Sequence, residues 1–314
     1  MTAIRVEGLR KAFRQVQALD GLSLEVASGT VFGFLGPNGA GKTTTLRILA
    51  GLARPDAGGA WVGDHPVGPE SPARRALGYL PEEPHFYTWM TATEFLRDFV
   101  AGLFGIPPTR ARQRTAELLD LVGLKDVARR RIAGFSRGMR QRLGLAQALM
   151  NEPRVVLLDE PVSALDPAGR RDMLLLIEAL RSKAAVLMST HILDDVERIC
   201  DTVGIIDHGR MVALDERQAL LERYATPWLQ VEFRSETARV AAWAEALRSA
   251  PGVAEVTVSE ARVRIRLETA DGTDQKILGL ALASGMPIET FEHANPTLED
   301  VFLRLVGTGK EVQR

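Results

Sequence analysis

Val31-Phe32-Gly33-Phe34-Leu35-Gly36-Pro37-Asn38-Gly39-Ala40-Gly41-Lys42-Thr43-Thr44 decides the fold. An apolar run of strand character, Val31 to Leu35, enters a glycine-rich turn. The turn leads into Thr44-Thr45-Leu46-Arg47-Ile48-Leu49, which reads as a helix. Glycines let the backbone curl so that its N–H groups converge on phosphate oxygens, and the helix behind adds the positive end of its dipole. Lys42 is placed to reach β- and γ-phosphates, and the Thr43 hydroxyl to ligate Mg²⁺. A glycine-rich turn before an ordinary helix is the bland alternative. The preceding strand and the Lys-Thr pair argue against it.

Val155-Val156-Leu157-Leu158-Asp159-Glu160 supplies the second half of such a site. A continuous apolar run is typical of a buried parallel strand. Its carboxyl end, where α/β sheets bind ligands, carries two carboxylates. Asp159 suits Mg²⁺, usually through a water, and Glu160 suits orienting or deprotonating an attacking water. Alone, the pair would read as an exposed helix cap. The phosphate loop upstream favours the nucleotide reading.

The chain has 314 residues, enough for two domains, with 46% hydrophobic and 25% charged residues. Its formal net charge of −1 gives no argument for nucleic acid or acidic substrates, and no nucleic-acid partner is expected. No apolar run approaches the roughly 18 residues of a membrane span, and the first residues show no signal-peptide pattern. These features lead us to expect a cytoplasmic protein that meets a membrane only through a partner. The single cysteine, Cys200, lies in Val196-Glu197-Arg198-Ile199-Cys200, read as the apolar face of a helix.

Ile4-Arg5-Val6 and Leu22-Ser23-Leu24-Glu25-Val26 alternate as short half-buried strands, and residues from about 88 to 150 read as mainly helical. Ala185–Ser189 and Thr202–Ile206 read as further strands, so strand and helix alternate as in an α/β core. The character changes at Tyr224-Ala225-Thr226-Pro227. Beyond it come a strand at Trp228–Phe233, a helix from an N-cap at Ser235 to Arg248, and a hairpin of Val256–Val258 with Val263–Leu267. A helix near Asp274–Ser284 and a strand at Pro287–Phe291 follow. The order βαββαβ suggests a small ferredoxin-like domain, and a last helix spans about Thr297–Leu305. Arg262, Arg264 and Arg266 share one strand face, either solvated or an anion or partner patch.

The motifs and their order resemble the ATP-binding subunit of a bacterial ABC transporter, the single-domain, exporter-type, antibiotic-resistance-like kind. The resemblance implies a P-loop ABC ATPase domain over 1–224, made of an α/β core, an antiparallel β subdomain and a helical subdomain at about 88–150. An α+β accessory domain would follow over 228–314. It implies that Gly36, Pro37, Asn38, Gly39, Ala40, Gly41, Lys42, Thr43 and Thr44 bind ATP, with Phe13 stacking on adenine. Glu82, in Gly78-Tyr79-Leu80-Pro81-Glu82, stands where most relatives have Gln, and would meet Mg²⁺ or the attacking water. Phe135-Ser136-Arg137-Gly138-Met139 resembles the family signature Leu-Ser-Gly-Gly-Gln. It keeps Ser136 and Gly138, which would grip the γ-phosphate across a head-to-tail homodimer.

By the same resemblance Asp166, in Ser163-Ala164-Leu165-Asp166, would belong to the loop that crosses the dimer interface. His191 would sense the γ-phosphate, and Glu160, His191 and Lys42 would form the catalytic set. Thr43, Asp159 and Glu82 would surround Mg²⁺. Asn295-Pro296-Thr297-Leu298-Glu299-Asp300-Val301-Phe302 is similar to the tail of many exporter-type members. The implied cofactors are ATP and Mg²⁺, and the implied partner is a separate membrane permease. The alternatives are a soluble ABC ATPase acting on ribosomes or DNA, and a regulatory ABC protein outside transport.

Overall fold

The computed structural model describes residues 1–68, 70–224, 228–268, 272–294 and 297–306. Contacts divide the chain into two units, Met1–Arg217 and Gln218–Arg314. The change of character read at Tyr224–Pro227 falls partly on 225–227, outside the described residues.

The first unit contains β1 (Thr2–Phe13), β2 (Val16–Ala27), β3 (Val31–Leu35), β4 (Ala57–Val62) and β5 (His65–Pro66). It continues with β6 (Leu77–Leu80), β7 (Val155–Asp159), β8 (Ala185–Thr190), β9 (Thr202–Asp207) and β10 (Arg210–Glu216). The central sheet runs β10-β9-β3-β8-β7-β6, parallel except for β10 at its edge. Strands β3, β7 and β8 are buried along their whole lengths, which is why they lack a polar alternation.

A second, antiparallel sheet has the order β2-β1-β4-β5. Here the expected short strands prove to be one long hairpin, kept twisted by irregularities at Val6/Leu9 and Lys11/Ala12. Its inward residues Leu9, Leu22 and Leu24 join Phe32, Phe34, Leu46 and Ile48 in one core. Each such side chain contributes about 1.5–3 kcal/mol on burial. Helical segments cover 92–103, Pro108–Leu121 and Arg137–Ala148. In the first of these, Phe95–Val100 form a π-helical turn.

The second unit contains β11 (Trp228–Phe233), β12 (Val253–Ser259), β13 (Arg262–Leu267) and β14 (Ile288–Ala294). They form an antiparallel sheet in the order β12-β13-β11-β14, with helices Thr237–Leu247 and Thr273–Ala283 between the strands. This is the split βαβ arrangement of ferredoxin-like domains. Val240, Ala244 and Leu247 are buried, and Trp243 meets Phe233 edge-on at 4.8 Å.

Three local readings change. Helix Thr237–Leu247 starts one residue after Glu236, which occupies the N-cap position; Ser235 lies outside it, and no side chain caps the helix. Cys200 follows helix Leu193–Ile199 in an extended conformation rather than lying on the helix itself, and it is buried in the core. The arginines of β13 are neither free nor simply solvated. Arg262 pairs with Glu232 (3.2 Å), Arg264 with Asp300 (3.3 Å) and Arg266 with Glu255 (3.1 Å), while Arg264 also lies over Trp228. In the tail motif Asn295 and Pro296 lie outside the described residues. Thr297 and Asp300 cap the helix Leu298–Val306 through reciprocal side-chain-to-backbone hydrogen bonds.

Candidate nucleotide site

The turn after β3 packs so tightly that only glycine fits at two points. A Cβ on Gly36 would stand 2.4 Å from the Ile206 carbonyl oxygen. Gly41 has φ +111°, and a Cβ there would lie 2.6 Å from the Ala18 oxygen. The loop is therefore clasped between β9 and the β1–β2 hairpin. Gly209 N–H donates to the Ala40 carbonyl at 2.9 Å. Helix Lys42–Leu49 begins directly at the turn, with no side chain capping its first N–H groups. Those donors are left for an anion.

The loop walls a cleft of about 350 Å³. Pro37, Asn38, Gly39, Gly41, Lys42, Thr43, Thr44, Glu82, Glu160 and His191 line it together with Ala18 of β2. Gly36 and Ala40 form the back of the same turn.

Lys42 is 6% exposed. Its Nζ donates to the carbonyls of Gly36 (2.6 Å) and Pro37 (3.2 Å) and lies 3.8 Å from Glu160. Burial pushes the ammonium below its ordinary pKa, and the carboxylates of Glu160, Asp159 and Glu82 pull it back.

Asp159 ends β7 at 1% exposure. Its Oδ1 accepts from Ser189 Oγ at 2.6 Å and from Thr43 Oγ1 at 3.1 Å. Among the described residues its Oδ2 is buried without a hydrogen-bond partner. An unpaired buried carboxylate oxygen is costly, and it sits beside a hydroxyl that faces the cleft. That pair suits a hard divalent cation that takes its remaining ligands from phosphates and water. Among the described residues no cluster of three or more His, Cys, Asp or Glu side chains could hold a metal alone. Asp159 also acts on Tyr79: burial first, then that negative charge, push the phenol up to about 12.

Glu160 takes a left-handed backbone conformation, φ +46°, uncommon for a residue with a side chain. Its N–H donates to the Ser189 carbonyl (3.1 Å) and hydroxyl (3.2 Å), which secure the turn. The side chain consequently enters the cleft, where both carboxylate oxygens lie 3.0 Å from His191 Nδ1.

Four expected residues, Ser136, Gly138, Asp166 and Phe13, lie outside this lining. Ser136 caps helix Arg137–Ala148, its Oγ accepting from Met139 N–H at 3.2 Å. Asp166 caps helix Pro167–Leu180, its Oδ1 accepting from Gly169 N–H at 2.8 Å. Gly138 faces Leu165, since a Cβ there would lie 3.0 Å from Leu165 Cδ2. These segments lie side by side, yet none of these three residues lines the phosphate-loop cleft. Phe13 ends β1, half exposed. Sequence reading missed Ser189 and Ala18 as parts of the site. Only the strand pairing, with Asp159 opposite Ser189, reveals the first.

The ABC transporter family profile matches residues 19–163, and the profile of the C-terminal domain of DrrA1-3-like ATP-binding proteins matches 218–306. An uncharacterized ABC transporter ATP-binding protein of Bacillus subtilis is 38% identical, over 96% of this chain and 99% of its own length. A daunorubicin resistance ATP-binding protein of Streptomyces coeruleorubidus is 36% identical, over 99% of this chain and 98% of its own. The solved structure of an ATP-binding subunit of an ABC transporter is 31% identical with TM-score 0.65. The match covers 71% of this chain and 93% of that one.

Proposed function

The chain belongs to the ABC transporter ATP-binding proteins, and we propose that it is a transport motor whose two copies enclose two ATP–Mg²⁺ between facing phosphate loops and Ser136 segments. ATP hydrolysis is its activity, as the family match and the resemblance to a solved subunit of such a transporter indicate. A separately encoded membrane permease would receive the motion. The likeness to a daunorubicin resistance protein supports export as its direction.

The observation that carries the reading is the turn at Glu160, which brings its carboxylate to His191 and near Lys42 in the phosphate-loop cleft. In the proposed mechanism Lys42 leaves its carbonyl partners for the β- and γ-phosphates. Glu160 accepts a proton from the attacking water as that water's oxygen bonds to the γ-phosphorus. The bond from phosphorus to the ADP oxygen breaks and ADP leaves. His191 holds the carboxylate in place and supports charge on the phosphoryl group being transferred. Mg²⁺, held by Thr43 and Asp159 with Glu82 nearby, would neutralise phosphate charge. Ser136, Gly138 and Asp166 would act on the partner copy's nucleotide, which agrees with their position outside this cleft.

Glu160→Gln is expected to keep ATP binding, lower turnover by about 10²–10⁴-fold and accumulate a dimer in ATP–Mg²⁺. Steady-state ATPase assays and light scattering check this. Normal turnover would sink the assignment. A slow variant that stays monomeric would keep Glu160 and remove the sandwich.

A further inference from the structure

Phe13 stands at the tip of a hairpin, where a half-exposed ring would ordinarily sample several orientations. Here the tip is held from the side. Asp56, the residue before β4, receives two hydrogen bonds from the strand that carries the ring. Lys11 Nζ donates to its Oδ1 at 2.8 Å and Ala12 N–H to its Oδ2 at 2.7 Å. Asp56 N–H in turn donates to the Arg10 carbonyl at 2.8 Å. The Lys11 side chain is only 17% exposed, and its ammonium lies 5.3 Å from the centroid of the Phe13 ring, within the range of a cation–π contact.

The other end of the hairpin is fixed to the phosphate loop. Ala18 lines the cleft, and its carbonyl oxygen closes on Gly41 and Gly209 so tightly that a Cβ would clash at either. Phe13 pairs with Val16 across the turn, two residues before Ala18. One hairpin therefore links the ring to the triphosphate cradle, and Asp56 ties down the strand that carries the ring.

We propose that Asp56 is a positioning residue for base recognition. By holding Lys11 and the Ala12 N–H, it seats the ammonium on one face of Phe13 and leaves the other face open to adenine. The inference rests on the reading of Phe13 as the adenine-stacking residue. Ordering the ring before the base arrives removes a cost that binding would otherwise carry, since each immobilised side chain opposes association.

The test is calorimetric titration of the full-length chain with ATP and with inorganic tripolyphosphate, which has the phosphates but no base. Phe13→Ala is expected to weaken ATP about fivefold or more and leave tripolyphosphate unchanged. Asp56→Ala and Lys11→Met are expected to weaken ATP about threefold to tenfold, again without touching tripolyphosphate. In the Phe13→Ala background Asp56→Ala should add nothing. Unchanged tripolyphosphate binding also certifies that each variant is folded. If Phe13→Ala leaves ATP binding intact, the stacking reading fails and this proposal with it. If Phe13→Ala weakens ATP and Asp56→Ala does not, the clamp alone is overturned. Equal loss of both ligands in Asp56→Ala would mean general loosening of the hairpin and would also overturn it.

Discussion

At the phosphate loop, Lys42, Thr43, Asp159, Glu160 and His191 bond to one another around a cleft. At the Ser136–Asp166 surface, the comparable polar groups bond to backbone N–H groups of their own helices. The first region carries perturbed ionisation, a buried carboxylate oxygen without a partner and a strained backbone at Glu160. In the second, the Ser136 and Asp166 side chains act as satisfied caps. One region is organised to receive a ligand within this chain. The other needs something outside it before its signature means more than a helix start.

The largest test of that contrast is Lys42→Ala. It is expected to weaken ATP binding to the dilute chain by about thirtyfold or more, the scale of losing one member of a buried charged contact. Fluorescence titration checks this, and unchanged affinity would remove the phosphate loop from the comparison.

Tyr79→Phe addresses the charge buried on the same side. Tyrosine ionises near 10.0 in the unfolded chain and at about 12 in this fold. A raised folded pKa means stability that is complete below pH 10 and declines as pH rises from 10 towards 12. The native chain is expected to lose up to about 2 kcal/mol across that interval relative to Tyr79→Phe. Urea unfolding at a series of alkaline pH values checks it, and parallel stability curves for the two proteins would contradict it.

Ser136→Ala is the smallest effect and sharpens the contrast most. It should cost about 1 kcal/mol of stability through the lost cap and leave ATP binding to the dilute chain unchanged. ATPase activity at high protein concentration should fall. A loss of ATP binding in the dilute chain would place Ser136 in its own subunit's site and merge the two regions.

Much of the first region was legible because its signals are local. Gly36 to Thr43 and the apolar run into Asp159 are contiguous, and contiguous residues carry their own geometry. Ser189 and Ala18 were not legible, because their contribution depends on which strands are neighbours. Cys200 and Ser235 show the ordinary error at element ends: helix boundaries depend on a single residue's dihedrals, which periodicity does not resolve. The β13 arginines were ambiguous because period-two spacing reveals a face but not the carboxylates opposite it.

From the sequence alone came the phosphate loop, the strand-end carboxylate pair, the α/β alternation and the βαββαβ order of the second unit. Each is written in adjacent residues, so short-range sterics and hydrogen bonding suffice to specify it. Only the tertiary structure decided the left-handed turn of Glu160, the unpaired oxygen of Asp159, the hold of Asp56 on Lys11 and Ala12, and the separation of Ser136 from the cleft. Those depend on strand order and packing between distant segments, and such contacts exist only once the chain has closed on itself.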